Sequence, residues 1–447
     1  MLNLLVGSRK FSPAFAAIVL AACSSTPNAT LALSVGGEAD AFTRAPAPTT
    51  LVVDAIDVNS GAVSNLARAA LPASDIDLGD RSSSNLVRIR ANGVDASDRV
   101  LVTGTSVQIQ PGALEDSTLP IFVQRTGEFA RMPAPLSVGR EAPVLANVTN
   151  RFVFVAGGST PANDKGSQIY DLATLTASNG PTAMPRTPRS MAVYDTAVLL
   201  IDDAGASSFS LSNAALAPTN VNPPDGGTFG EVAGGITVRA PDATLYVVGA
   251  TRTSAPSARI LKVNKDGVAA FANLATARRG AAAVWVEGRG LVIAGGSDTG
   301  AGVELLSPGG TTTTPLAYPA DATIGAGAAA LDATHVVLGG GADATGQPAA
   351  TRTIDVACAT SACTAITWDA GKIPVALVAT QGFDLDTGSA LFVGDDATGL
   401  SHAYRASQQG VSEIAFKIPR RGARGIRVNP PAITFVGGDP TVESFTP

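Results

Sequence analysis

The chain has 447 residues, of which 45% are hydrophobic, 15% charged and 5% aromatic, with 47 glycines and 29 prolines. A net charge of -6 with scattered arginines, clustered only in the run from Arg420 to Arg427, argues against a nucleic-acid binder, which needs a clustered basic face against phosphate. Plentiful glycine, proline, threonine and valine exclude a helical bundle and suit many short strands joined by tight turns.

The first expected element, residues 1–22, is an address rather than part of the fold. Arg9 and Lys10 precede a short apolar run, Phe11 to Ala22, too short to span a bilayer. The run ends in Leu20-Ala21-Ala22-Cys23, which resembles the lipobox of bacterial lipoproteins. The resemblance implies cleavage before Cys23, a lipid on its sulfur, and anchoring by acyl-chain burial at about 0.8 kcal/mol per CH2. With Ser24 following, it also implies the cell envelope, at the outer membrane. The alternative is an ordinary signal peptide with an incidental cysteine.

Residues 23–50 are small, polar and proline-containing and read as a flexible tether. Residues 51–118 carry the strand-like runs TLVVDAIDV, NLVRIRAN and RVLVTGTSVQIQ, and read as a small β-sandwich-like domain.

Residues 119–447 read as one domain, organised from residue 150 onward by a repeat. An apolar strand ending in small residues returns at Gly157, Asp202, Gly249, Gly295, Gly339, Gly394 and Gly437, in steps of 45, 47, 46, 44, 55 and 43 residues. Each unit has a short strand before this one and another after it. A period in the forties with several strands per unit predicts a β-propeller of seven blades, or six if one divergent unit is not a blade. The last unit is truncated after Gly438, so residues 119–132 (LPIFVQRTGEFARM) are expected to supply the missing strand and close the ring.

The units resemble kelch repeats of the galactose-oxidase type, in which the second strand ends in Gly-Gly and the third carries a tyrosine. Gly157-Gly158 with Tyr170, and Gly295-Gly296, carry the likeness. Trp368 stands where one kelch tryptophan would, the other units lack it, and Asp202-Asp203 replaces the glycines of the second unit. The fold class is therefore all-β: a seven-bladed kelch-like propeller behind a small β-domain and a lipobox, similar to large bacterial kelch-type lipoproteins.

Catalytic chemistry is poorly supplied. A copper radical site on this fold would need a Tyr–Cys crosslink, a second tyrosine and two histidines. The chain has two histidines and three cysteines, of which Cys23 belongs to the lipobox. No cofactor and no metal site is expected. Cys358 and Cys363 are expected to form a disulfide, since export places them in an oxidising compartment. A metal pair is the alternative, but two thiols without a nearby histidine hold Zn2+ poorly. His335, inside an apolar strand, reads as a hydrogen-bonded core or inter-blade residue. Tyr246, Trp285, Tyr318, Phe392 and Tyr404 could line a carbohydrate platform, with blade core as the plainer role for most.

The acidic turns are more suggestive. Asp202, Asp203, Asp298, Asp343, Asp395, Asp396 and Asp439 follow second strands, and Arg140, Arg189, Arg279 and Arg421 stand in the connections that enter first strands. Antiparallel blades bring both sets to one face. That face is a recognition surface for sugars or peptide, or a weak Ca2+ site, or else a set of turn-forming aspartates and inter-blade ion pairs. The leading functional expectation is a non-catalytic, membrane-anchored protein that binds a protein or glycan. The alternatives are an exported carbohydrate-active enzyme and a purely structural envelope component.

Overall fold

A computed structural model describes residues 18–20, 30–73, 85–111, 118–159, 165–181, 184–211, 219–251, 255–385 and 388–447. Cys23, with most of the leader, lies outside them. Among the described residues no helix is long and apolar enough to cross a membrane.

Seven four-stranded antiparallel sheets follow one another from Val144 to Phe445. Six are built from strands in chain order. The seventh joins Arg424–Arg427, Ile433–Gly437 and Asp439–Phe445 to an upstream strand. Apolar clusters link each sheet to the next and return to the start. Tyr246 and Ile260 pack with Leu291 and Ile293, Val336 with Val292, Val337 with Phe392, and Leu391 with Phe435. Val436 and Val442 of the seventh sheet then pack with Val153, Val155 and Tyr170 of the first. A closed circuit of face-packed sheets is a β-propeller. It also explains why second strands such as Phe152–Ala156 and Gly290–Ala294 are continuous apolar runs, because both faces of each are covered.

Gly-Gly ends a second strand for a steric reason. Gly157 has φ +66°, and a Cβ there would lie 2.2 Å from the Pro188 carbonyl in the connection to the next sheet. Gly296, at φ +72°, sits under the Arg279 carbonyl of its own connection, where a Cβ would lie 2.5 Å from the oxygen.

The N-terminal unit consists of β1 (Ile18–Leu20), β2 (Thr30–Ser34), β3 (Thr50–Asp57), β4 (Val63–Ala70), β5 (Val87–Val94), β6 (Val100–Thr105), β7 (Thr118–Phe122) and β8 (Gln124–Arg125). They form one sheet in the order β1-β2-β7 and another in the order β4-β3-β5-β6-β8. Leu31, Leu33, Leu119 and Ile121 of the first share a core with Leu51, Val53, Ile89 and Val102 of the second.

Three boundaries differ from those read in the sequence. The stretch 23–50 is folded from Thr30 on, because Leu31 and Leu33 alternate into this core and Ala41 is buried. Residues 118–122 pair in parallel with β2 and belong to the N-terminal unit. Only β9 (Phe129–Arg131) completes the seventh sheet, pairing with Glu443–Phe445. Phe129 is the reason it stays: its ring is buried within 5.4 Å of the Phe416, Phe435 and Phe445 rings.

Candidate functional site

At one rim of the ring, the turn after each second strand meets the connection entering each first strand. Main-chain bonds join them: Gly438 N donates to Arg140 O at 2.7 Å, Arg279 N to Gly296 O at 3.0 Å, and Ser297 N to Asp321 O at 2.9 Å.

Buried arginines fasten three of these rims. Arg140, Arg278 and Arg420 each donate through Nη1 to the carbonyl of a glycine 17 residues on: Gly157 at 3.1 Å, Gly295 at 2.9 Å and Gly437 at 3.1 Å. Arg278 also reaches Glu304 at 2.8 Å, and Arg420 reaches Glu443 at 3.0 Å, all four side chains being fully buried. Two other sheets reverse the polarity. Glu231 in the third connection takes Arg259 from the third strand at 3.1 Å, and Asp321 in the fifth takes Arg352.

This pattern divides the residues expected to share a face. Arg140 is a buried clamp, not a surface group. Its counterparts are Arg278 and Arg420, each one residue before the expected Arg279 and Arg421. The spacing from arginine to the glycine it holds is 17 residues in all three sheets, but Arg279 and Arg421 stand equally far before Gly296 and Gly438, so spacing alone does not separate them. Asp202 is buried and paired with Arg186. Asp395, also buried, accepts from Ser401 Oγ at 2.6 Å and from Arg424 of the seventh sheet at 3.0 Å.

Arg189, Arg279, Arg421, Asp203, Asp298 and Asp343 remain exposed on the rim. Arg189 pairs with Asp203, and Arg421 reaches the Thr398 carbonyl and lies 3.4 Å from Glu141. Asp343 and Asp396 close turns. Each Oδ1 accepts from a threonine hydroxyl and N–H two residues on, and from an N–H four residues on. Those bonds, the threonine hydroxyl first, hold both carboxyls below the usual aspartate range. Asp439 makes the same kind of turn with Thr441 N at 2.7 Å.

The sixth sheet carries one further cluster. His402 Nδ1 lies 2.7 Å from Glu413 and Nε2 lies 3.2 Å from Asp396. Burial opposes a charge on the ring, but the two carboxylates outweigh it and hold the imidazole pKa above its ordinary value. His335 is not in the core. It sits at a strand start, bonded through Nδ1 to Asp332, whose pKa falls to about 2; slight burial opposes that fall, and the Thr334 and His335 bonds overcome it. Tyr246 stacks on Trp285 at 5.5 Å between the third and fourth sheets, and Phe392 and Tyr404 are buried between the fifth and sixth. Tyr318 is buried with its hydroxyl on Asp355 O at 3.0 Å. These rings form no common platform. Cys358 and Cys363 are joined by a disulfide, with Cα atoms 6.2 Å apart, in the loop before the fourth strand of the fifth sheet. Among the described residues no group of three or more His, Cys, Asp or Glu side chains is placed to hold a metal ion.

The N-terminal unit docks on the seventh sheet. Asn429 Nδ2 donates to the Ser106 carbonyl at 2.9 Å, and Glu128 bridges Arg44 at 2.8 Å and Lys417 at 3.3 Å.

No family model matches the sequence, and no curated protein matches it. Among solved structures, similarity is found to the computationally designed Ika8 protein, with 11% identity over 71% of this chain and 100% of that one and a TM-score of 0.39. A chain of the mitotic checkpoint complex gives 9% identity over 72% and 91%, with a TM-score of 0.45. BBS1N, from its complex with ARL6DN, gives 16% identity over 70% and 94%, with a TM-score of 0.42.

Proposed function

We propose that this chain is an exported, lipid-anchored envelope protein in which a seven-bladed, kelch-like propeller binds a protein or glycan without transforming it. The observation that carries the reading is the exposed rim. Arg189, Arg279, Arg421, Asp203, Asp298 and Asp343 are exposed on a rim whose connections are fastened from beneath by the buried pairs Arg278–Glu304 and Arg420–Glu443. Such a rim offers alternating cationic and anionic contacts on a rigid base, which suits polar recognition. The kelch-like reading draws on Gly157-Gly158 with Tyr170 and on Trp368, buried where the fifth and sixth sheets pack. The anchor reading draws on Leu20-Ala21-Ala22-Cys23, and the N-terminal unit is read as a sandwich-like stalk.

The test is a glycan array and an envelope pull-down with the mature protein, repeated with Arg279→Ala and Asp298→Ala. Specific capture lost in the variants, at unchanged melting temperature, supports the reading. Capture indifferent to both substitutions, or turnover of a bound sugar, overturns it.

A further inference from the structure

We infer that the outer edge of β2 is a strand-acceptor site, capped in the precursor by the chain's own Ile18–Leu20 and opened when the leader is removed. The inference rests on the proposed processing before Cys23 and adds a site to it. β2 pairs in parallel with β7 on one side and antiparallel with β1 on the other. The Ser34 carbonyl accepts from Val123 on the β7 side at 2.8 Å. Strand alternation then turns the N–H and C=O groups of Leu31 and Leu33 toward β1. The Leu31 and Leu33 side chains are buried in the core, so this edge is rigid even though it lies at the margin of the sheet.

The edge lacks the usual protection. Residues 30–34 (TLALS) contain no charge, proline or glycine. The margin strand of the other sheet, β4, is largely exposed and carries a charge, Arg68, paired to Asp98 at 2.5 Å. Within the chain, the leader occupies the edge in a defined register: Ile18 opposite Leu33, Val19 opposite Ala32, and Leu20 opposite Leu31. Cleavage before Cys23 removes all three of these residues. The site left behind takes an extended, antiparallel segment of a partner protein with branched apolar residues opposite Leu31 and Leu33.

Hydrogen exchange at the Leu31 and Leu33 amides tests this, comparing residues 1–447 with residues 23–447, both carrying Cys23→Ser and both made without export. The expected result is exchange at least tenfold faster in the shorter chain. A lysine-flanked peptide of residues 14–22 added in trans should restore protection, and its Leu20→Pro variant should not. Equal exchange in the two chains, or no effect of the peptide, overturns the acceptor site. Mass spectrometry of the membrane-extracted protein separately decides the processing on which it rests: an N-terminus upstream of residue 23 would sink the opening step while leaving the cap measurable.

Discussion

Replacing Arg278 by methionine would strand the Glu304 carboxylate in a site with no access to water. Removing one partner of a buried pair typically costs about 3–5 kcal/mol. Arg279, its neighbour, is exposed, and the same change there should stay within about 0.5 kcal/mol. Guanidinium unfolding of both variants checks this, and equal losses would refute the clamp. The pair also shows why the site was only half legible in the sequence. Arginine before a first strand was visible, but which of two adjacent arginines turns inward depends on the buried acid it meets on the third strand, Glu304 for Arg278 and Glu443 for Arg420. Likewise the Asp-rich turns were legible as turns, whereas the burial of Asp202 and Asp395 depends on Arg186 and Arg424, which come from other segments. His402 allows a pH test. Its folded pKa lies above the unfolded value near 6.5, so its contribution is full below that value and is lost as pH rises through the folded pKa. Being a partly exposed group, it should contribute about 1 kcal/mol or less. His402→Ala should therefore flatten the loss of amide protection in Gly410–Glu413 on going from mildly acid to mildly alkaline pH. An unchanged pH profile would dismiss the cluster.

Among the elements, β9 has the largest effect for its length. Three residues close the ring, and Phe129 supplies their apolar contact. Phe129→Ala should cost about 3–5 kcal/mol, measured as a fall in the unfolding midpoint. Disrupting Leu119 should instead loosen the N-terminal unit first, because that residue belongs to β7. The sequence predicted a closing strand from the truncated last repeat, but a run as apolar as LPIF drew the assignment too far upstream. β2 was not legible for the opposite reason: TLALS is short, and it becomes a strand by pairing with β7, nearly ninety residues away, and with β1. The 55-residue step also has a local cause. Extra chain in the loop before the fourth strand of the fifth sheet holds the Cys358–Cys363 disulfide, and the connection to the sixth sheet then holds the buried Ile373 and Leu377. Cys358→Ser with Cys363→Ser should cost only about 2 kcal/mol, since the disulfide closes a very short loop. A larger loss would mean that the loop supports the sheets beside it.

For the whole molecule, the repeat arithmetic was legible because four of the seven sheets reuse one steric solution, a pair of positive-φ glycines at the end of the second strand. The joint between the N-terminal unit and the ring was not, because it is written in single residues such as Asn429 and Glu128. If Cys23 carries the lipid, Cys23→Ser should shift the protein from the detergent phase to the aqueous phase, and unchanged partitioning would reject the anchor. The parallel pairing of β2 with β7 then acquires a mechanical meaning. A pull between the anchor and a partner held on the ring would enter β2 at its N-terminal end and leave β7 at its C-terminal end. Two parallel strands loaded at opposite ends are sheared, so their hydrogen bonds resist together instead of opening one after another. The load passes next through β8 to β9, the strand that closes the ring. The N-terminal unit would thus act as a force-bearing coupling, built to transmit tension to the ring's own seam.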